Sequence, residues 1–462
     1  MPVPSRPGLS VFACLRLGLF QACLGALAVI FAGLLNRVML SELAFPGLLV
    51  GGALAFEQFV APARVLFGQI SDAHPIAARH RVPYVLIGTG LFCLLAVASI
   101  PLIFQVGRLL AVGDQPGLAF GIAGLCGLFA LYGLAISLAT TPYLALVIDR
   151  TEELERPRAV GIIWCMLTVG IVIGAITISL SLRSLDGVVD PAVLEPTLLR
   201  FMAIAAGLVM VLTVIATWGM EAPGQLGGGQ AGREDRVTLA QSWALITSSR
   251  QVLVFFSFLV LFTLGLFLQD PVLESYAAQV FAMPIAATTQ LNAFWGIGTL
   301  AGLLVGGLWI VPWLGKLPTA RLGCRLIVVS LLLLLLCGLA PNVPVLKLVM
   351  VGFGLAAGIA TNSTLCLMLD LTLPEAAGTF VGVWGLAQAI SRAIGKLCGG
   401  ALYDLGRSLH LGDGPYPPFA LVLAVEMVVA VLALVLLNRI NVHQFREDTG
   451  RSLTKVLAME LG

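Results

Sequence analysis

The sequence predicts an all-α integral membrane protein, a single bundle of about twelve transmembrane helices built as two similar six-helix halves. Three observations carry this prediction. First, 59% of the 462 residues are hydrophobic and only 11% are charged, with a mean hydropathy of +1.01. Second, apolar segments of the length that crosses a bilayer, about twenty residues, recur along the whole chain. Third, short polar signatures in the first half return in the second. A soluble domain covers its surface with about 25% charged residues, so the solvent for most of this surface must be lipid.

The apolar segments fall at 10–36, 47–69, 83–105, 118–141, 159–181, 198–219, 251–270, 288–311, 324–341, 343–368, 379–402 and 416–438. The first is too long for the apolar core of a signal peptide and carries Arg16 and Gln21, so a cleaved leader is not expected. The division between the ninth and tenth segments requires a very tight turn at Pro341-Asn342-Val343-Pro344. Most of the 26 Lys and Arg fall on one side of the bilayer when both termini are cytoplasmic. They include Arg79, Arg81, Arg150, Arg156, Arg158, Lys316, Arg321 and Arg325. This bias sets the expected orientation.

The chain divides almost at its middle. Residues 1–220 form the expected first half and 251–438 the second. Between them, 221–250 holds Gly227-Gly228-Gly229 and the run Arg233-Glu234-Asp235-Arg236, the composition of a flexible polar linker. Residues 439–462 are an amphipathic cytoplasmic tail, with Val442, Phe445, Leu453, Val456 and Leu457 apolar among charges. Such a tail suits either the membrane surface or a partner protein.

The halves repeat. Asp149-Arg150-Thr151, followed by Gly161 and Trp164, corresponds to Asp370-Leu371-Thr372, followed by Gly382 and Trp384. The ends of the first and seventh spans also correspond, as Gly33-Leu34-Leu35-Asn36-Arg37 and Gly265-Leu266-Phe267-Leu268-Gln269-Asp270. Two six-span halves joined by a polar loop resemble the plan of the major facilitator superfamily. Gly68-Gln69-Ile70-Ser71-Asp72, with Arg79 and Arg81 beyond it, resembles that superfamily's inner-loop motif, although Ala73 and His74 replace the usual basic residue. Asp72, Arg79, Arg81, Asp149 and Asp370 are therefore the expected inner gate.

Charges at bilayer depth cost several kcal/mol and mark either function or internal pairing. Glu57, Arg392 and Glu426 all sit roughly 18–21 Å from the cytoplasmic ends of their helices at 1.5 Å per residue. Arg392 is thus within reach of either carboxylate. A Glu57–Arg392 pair would latch the halves together, a Glu426–Arg392 pair would hold one half, and either carboxylate is compatible with proton coupling. Asn36 and Arg37, with Glu42 following, occupy the outer end of the first half. Gln269, Asp270 and Glu274 occupy the equivalent place in the second. The opposite charges of Arg37 and Asp270 suggest an outer gate, against two separate interfacial charges in water.

No histidine lies in a span, since His74, His80, His410 and His443 are all in loops or the tail. A magnesium held within the bundle would therefore need oxygen donors, which magnesium prefers. Glu57, Gln58, Asn292, Asn362, Gln388 and Arg392 are the candidate ligand-cavity residues, each equally suited to an interhelical hydrogen bond. The glycine patterns Gly296-x-Gly298-x-x-x-Gly302 and Gly352-x-Gly354-x-x-x-Gly358 lie mid-span. They predict close helix packing, not nucleotide loops. The nine cysteines are scattered, without a C-x-x-C pair, and predict neither disulfide nor metal site. No nucleophile–base pair suggests an enzyme. A net charge of +2 without a basic stripe argues against nucleic acid.

Several stretches jointly carry a more specific resemblance. These are Leu35-Asn36-Arg37-Val38-Met39, Ser71-Asp72-Ala73-His74, and Arg81-Val82-Pro83-Tyr84 with Gly88-Thr89. In the second half they are Gln269-Asp270, Leu273-Glu274, Tyr276, Val280-Phe281-x-Met283 and Thr288-Thr289, then Gly378-Thr379-Phe380, Gly382-x-Trp384-Gly385 and Gln388. Together they resemble the PucC, or bacteriochlorophyll delivery, branch of the major facilitator superfamily. The stretch from Arg451 to Gly462 is more similar to cyanobacterial members. The resemblance implies a photosynthetic membrane, thylakoid or cytoplasmic, and chlorophyll or bacteriochlorophyll as bound cargo. It also implies light-harvesting or photosystem polypeptides as partners. The competing readings are a proton-coupled transporter of a small solute, working through Glu57 or Glu426, and an assembly scaffold that transports nothing.

Overall fold

The computed structural model describes residues 10–113, 115–151, 156–182, 190–222, 250–370, 377–410, 412 and 414–440. The linker and the amphipathic tail fall largely or wholly outside these residues. Within them no strand forms, and the only sheet-like feature is a bridge between Ile76 and Arg79.

The first half opens with α1 (Val11–Val29), which continues through two π-helical segments, Ile30–Leu35 and Val38–Glu42. It is followed by α2 (Gly47–Phe59), α3 (Ala63–Ala73), α4 (Val82–Val112), α5 (Gln115–Arg150), α6 (Arg156–Ser181) and α7 (Pro191–Thr217). The second half comprises α8 (Arg250–Phe267), α9 (Leu273–Phe281), α10 (Ile285–Thr288) and α11 (Gln290–Val305). A π segment, Gly306–Ile310, leads from α11 into α12 (Val311–Leu314). Then come α13 (Lys316–Cys337), α14 (Val343–Asp370), α15 (Ala377–Ser408) and α16 (Tyr416–Leu437).

Length and composition alone single out eight of these stretches as able to cross a membrane, among them Val11–Glu42, Val82–Val112 and Tyr416–Leu437. Other expected spans fall on shorter apolar helices, Gly47–Phe59, Cys165–Ser181 and Leu253–Phe267. The expected span at 379–402 falls on α15, which is long but carries Arg392, Lys396, Asp404 and Arg407. The expected second span, 47–69, is interrupted. The chain turns at residues 60–62 and α3 begins after Pro62, because proline has no N–H to continue the ladder. The tight turn at 341–342 forms as expected, with the Asn342 side chain accepting from the N–H of Val345 at 3.2 Å.

The described chain resolves into two compact units. One comprises Met1–Gly232, Asp270–Ala293 and Lys396–Asp404; the other comprises Arg233–Gln269, Phe294–Gly395 and Leu405–Gly462. In the first, α1 and α6 touch backbone to backbone: a Cβ on Gly25 would land on the Leu167 carbonyl, and one on Gly170 on the Ala22 carbonyl. In the second, the mid-span glycines pack reciprocally, as their spacing predicts. Gly298 and Gly302 of α11 lie against the main chain of Val351 and Leu355, while Gly354 and Gly358 of α14 lie against Trp295 and Thr299. In lipid there is no hydrophobic drive between helices, so small residues that permit close approach take over.

Candidate functional site

The first unit carries polar clusters at both of its ends. At one end, α1 widens into its two π segments on either side of Asn36 and Arg37. π-bulges in α-helices are frequent at functional positions. Asn36 is fully buried and Arg37 is 6% exposed. The Asn36 side-chain amide donates to the main-chain carbonyl of Asp270 at 2.9 Å. Arg37 donates through Nη1 to the Thr288 hydroxyl at 2.7 Å, and its Nε and Nη2 approach Glu42 Oε1 at 3.4 and 3.3 Å.

Glu274, only 2% exposed, is the centre of this cluster. Its Oε1 accepts from Asn292 Nδ2 at 2.6 Å, and its Oε2 receives the Thr288 and Thr289 hydroxyls at 3.5 Å each. A methyl group on Gly33 would fall on the Glu274 carboxylate, so glycine at that position of α1 makes room for the acid. Glu274 sits in α9, in the connection between the seventh and eighth spans. Burial pushes its carboxyl up to about 8, against the lowering effect of Arg37 and of the Thr289, Asn292 and Thr288 hydrogen bonds.

Both chains leaving this cluster turn in the same way. Ala44 and Ala282 adopt left-handed φ of 53° and 51°. Phe45 N–H then bonds back to the Met39 carbonyl at 2.8 Å, and Met283 N–H to the Ala277 carbonyl at 3.2 Å. A proline follows each, Pro46 and Pro284. Ala-Phe-Pro and Ala-Met-Pro thus match between the halves, a likeness without charge and so a weak signal in the sequence.

Two further contacts brace the same end. The Asp404 carboxylate accepts from the N–H groups of Gly47 and Leu48, both at 2.7 Å. Gln290 Nε2 donates to the Ser179 hydroxyl at 2.7 Å.

Deeper in α2, Glu57 Oε2 stands 4.0 Å from Lys396 Nζ and its Oε1 accepts from Gln58 at 3.2 Å. Lys396 lies one turn beyond Arg392 on α15; Arg392 is the residue expected within reach of either Glu57 or Glu426. Arg392 belongs to the second unit, where its guanidinium lies 4.4 Å from the centre of the Phe267 ring, a cation–π distance. Glu426 is fully buried in α16 of that unit. Asn292 is committed to Glu274. Asn362 donates to the Leu303 carbonyl at 3.1 Å, an interhelical bond. Gln388 is half-buried on α15. Gln269, 3% exposed, donates to Leu266 within its own turn.

At the opposite end of the first unit, Arg81 donates through Nε to Asp149 at 3.1 Å and through Nη1 to the Ser71 hydroxyl at 2.9 Å. The structure thus joins two of the expected inner-gate residues. It adds Glu221, whose carboxylate accepts the N–H groups of His80, Arg81 and Val82 and so caps α4. Glu221 is the first residue of the expected linker. Arg79 forms the bridge with Ile76, while the side chains of Asp72 and Asp370 lie outside the described set. Among the described residues no three His, Cys, Asp or Glu side chains gather as a metal site would require.

The family model for PUCC protein matches residues 34–445. The chain belongs to the PucC family. Relatives include Protein PucC of Rhodovulum sulfidophilum, 31% identical over 85% of this chain and 85% of that one. Another is the Bacteriochlorophyll synthase 44.5 kDa chain of Rhodobacter capsulatus, 31% identical over 90% of this chain and 92% of its own length. Among solved structures, a point mutant of the nucleoside transporter NupG is similar with a TM-score of 0.70 at 13% identity, over 93% of this chain and 99% of that one. This PucC family member therefore has the major facilitator fold and is a multi-pass membrane protein.

Proposed function

We propose that this protein binds chlorophyll or bacteriochlorophyll within the membrane and hands it to light-harvesting or photosystem polypeptides during their assembly. The observation that carries the reading is the pairing of Glu57 with Gln58 and Lys396, a small polar group in an otherwise apolar stretch of helix. A magnesium tetrapyrrole needs an oxygen ligand where no span offers histidine, and Glu57, its side chain 18% exposed, supplies one beside a charge-balancing ammonium. The PucC names of the relatives and the photosynthetic wording of one of them support the same direction.

In this reading the protein is not an enzyme. Two six-span halves, 1–220 and 251–438, flank the linker 221–250, and the amphipathic sequence 439–462 suits the membrane surface or a partner. Both termini are cytoplasmic, so the Arg37 end faces away from the cytoplasm.

The test is an absorption spectrum of the protein purified in mild detergent from a photosynthetic host, with the co-purifying polypeptides identified. Stoichiometric pigment that is lost in Glu57→Ala, together with antenna or photosystem subunits, is the expected result. Subunits without pigment would leave a scaffold. A colourless protein without such subunits would shift the reading to a solute transporter, for which the transporter-like fold is the supporting observation.

A further inference from the structure

The cluster around Glu274 holds more acid than it can keep ionised. Arg37 is the cation that faces Glu274 from α1, and Glu42 contacts the same guanidinium. Among the described residues, the groups that hydrogen-bond Glu274 from the other elements are neutral: Thr288 of α10, Thr289, and Asn292 of α11. Asp270 precedes it by four residues on the same segment, and Asp404 is held at the start of α2. One guanidinium balances one carboxylate. A second ionised carboxylate would leave net negative charge in a buried site, which proteins avoid by protonating one partner.

We propose that Glu274 is a reversible proton site that governs whether segment 270–293 stays packed on α1 at the Arg37 end. With the proton on, Arg37 and Glu42 neutralise each other. Glu274 keeps one oxygen as acceptor for Asn292 and turns its O–H toward a threonine hydroxyl. The Thr289 hydroxyl can relay to the Ile285 carbonyl, 3.5 Å away. When the proton leaves to water at that end, the carboxylate makes the buried array net negative and the segment loosens. Widening of α1 into π-helix on both sides of Arg37 and the left-handed turns at Ala44 and Ala282 place the parts most easily rearranged beside the acid. The raised carboxyl of Glu274, near 8, puts the change within reach of ordinary pH. The inference holds for any cargo and does not depend on pigment binding.

The experiment uses the full chain in nanodiscs, with Ala286→Cys as reporter, since Ala286 is 4% exposed within the segment. Labelling by a polar maleimide is located by peptide mass and corrected for thiolate reactivity with a surface cysteine. The expected result is a labelling rate that rises about tenfold or more between about pH 6.5 and about pH 9.5. The rate should stay low and flat in Glu274→Gln, which mimics the protonated acid. A flat profile in the parent, or the same rise in Glu274→Gln, would overturn the proposal. Should Glu274→Gln not fold, infrared difference spectra of the parent decide. A buried neutral carboxyl band present at the lower pH and lost at the higher one is expected, and its absence would end the idea.

Discussion

Asp404 caps a helix whose first residue, Gly47, lies 357 positions away in sequence. Its two carboxylate oxygens take the N–H groups of Gly47 and Leu48, 2.7 Å each, the donors that every helix start leaves without an intrahelical partner. The helices approach closely enough for this because both are bare there. A Cβ on Gly47 would strike the Gly400 carbonyl, and one on Gly400 would strike the Gly47 carbonyl.

Asp404→Ala removes this cap and should cost about 1–2 kcal/mol, read as a lowered midpoint of thermal unfolding in detergent. Asp404→Asn keeps one acceptor oxygen and should lose less. Equal loss in both, or none in either, would show that the carboxylate does not hold the start of α2.

Gly33→Ala should be destabilising by about 1–3 kcal/mol, the usual cost of overpacking, because the new methyl meets the Glu274 carboxylate. The same substitution made in a Glu274→Ala background should cost clearly less, since the space is then open. A double-mutant cycle of thermal stability measures that coupling; additive effects would separate the two residues.

Lys396→Met leaves Glu57 without its ammonium and should cost about 1–2 kcal/mol, less than a fully buried pair because the contact is 4.0 Å long and the carboxylate is part-exposed. Adding Glu57→Gln removes the stranded charge and should restore most of that stability. If the double variant is as unstable as the single one, Lys396 acts through packing and not through Glu57.

Much of this molecule is written in its composition and periodicity. Low charge and recurrent apolar segments determine that the solvent is lipid, and lipid in turn admits only helices that satisfy their own backbone. The mid-span glycines predicted close helix packing, since only small residues let helix backbones meet; that α11 and α14 are the partners came from the structure. The duplication around Asp149 and Asp370, and around Arg37 and Asp270, marked the two halves and both polar ends. The family resemblance carried by Asn36-Arg37, Gln269-Asp270 and Thr288-Thr289 falls on the buried cluster itself.

Partner choice, by contrast, was left to the tertiary structure. Depth along a helix axis pointed to Arg392 as a neighbour for Glu57, but the cation that stands beside Glu57 is Lys396, one turn further along the same face of α15, because a turn of helix changes the height while preserving the face. The same holds for Glu274, Asn292 and Gly33. The sequence placed Glu274 at an outer gate, Asn292 in a ligand cavity and Gly33 in a repeat, and only the packing makes them one site. Residue type and spacing determine which groups must be buried; the packing geometry determines which of them meet, because a hydrogen bond is settled within a few tenths of an ångström, a distance that sequence spacing does not resolve.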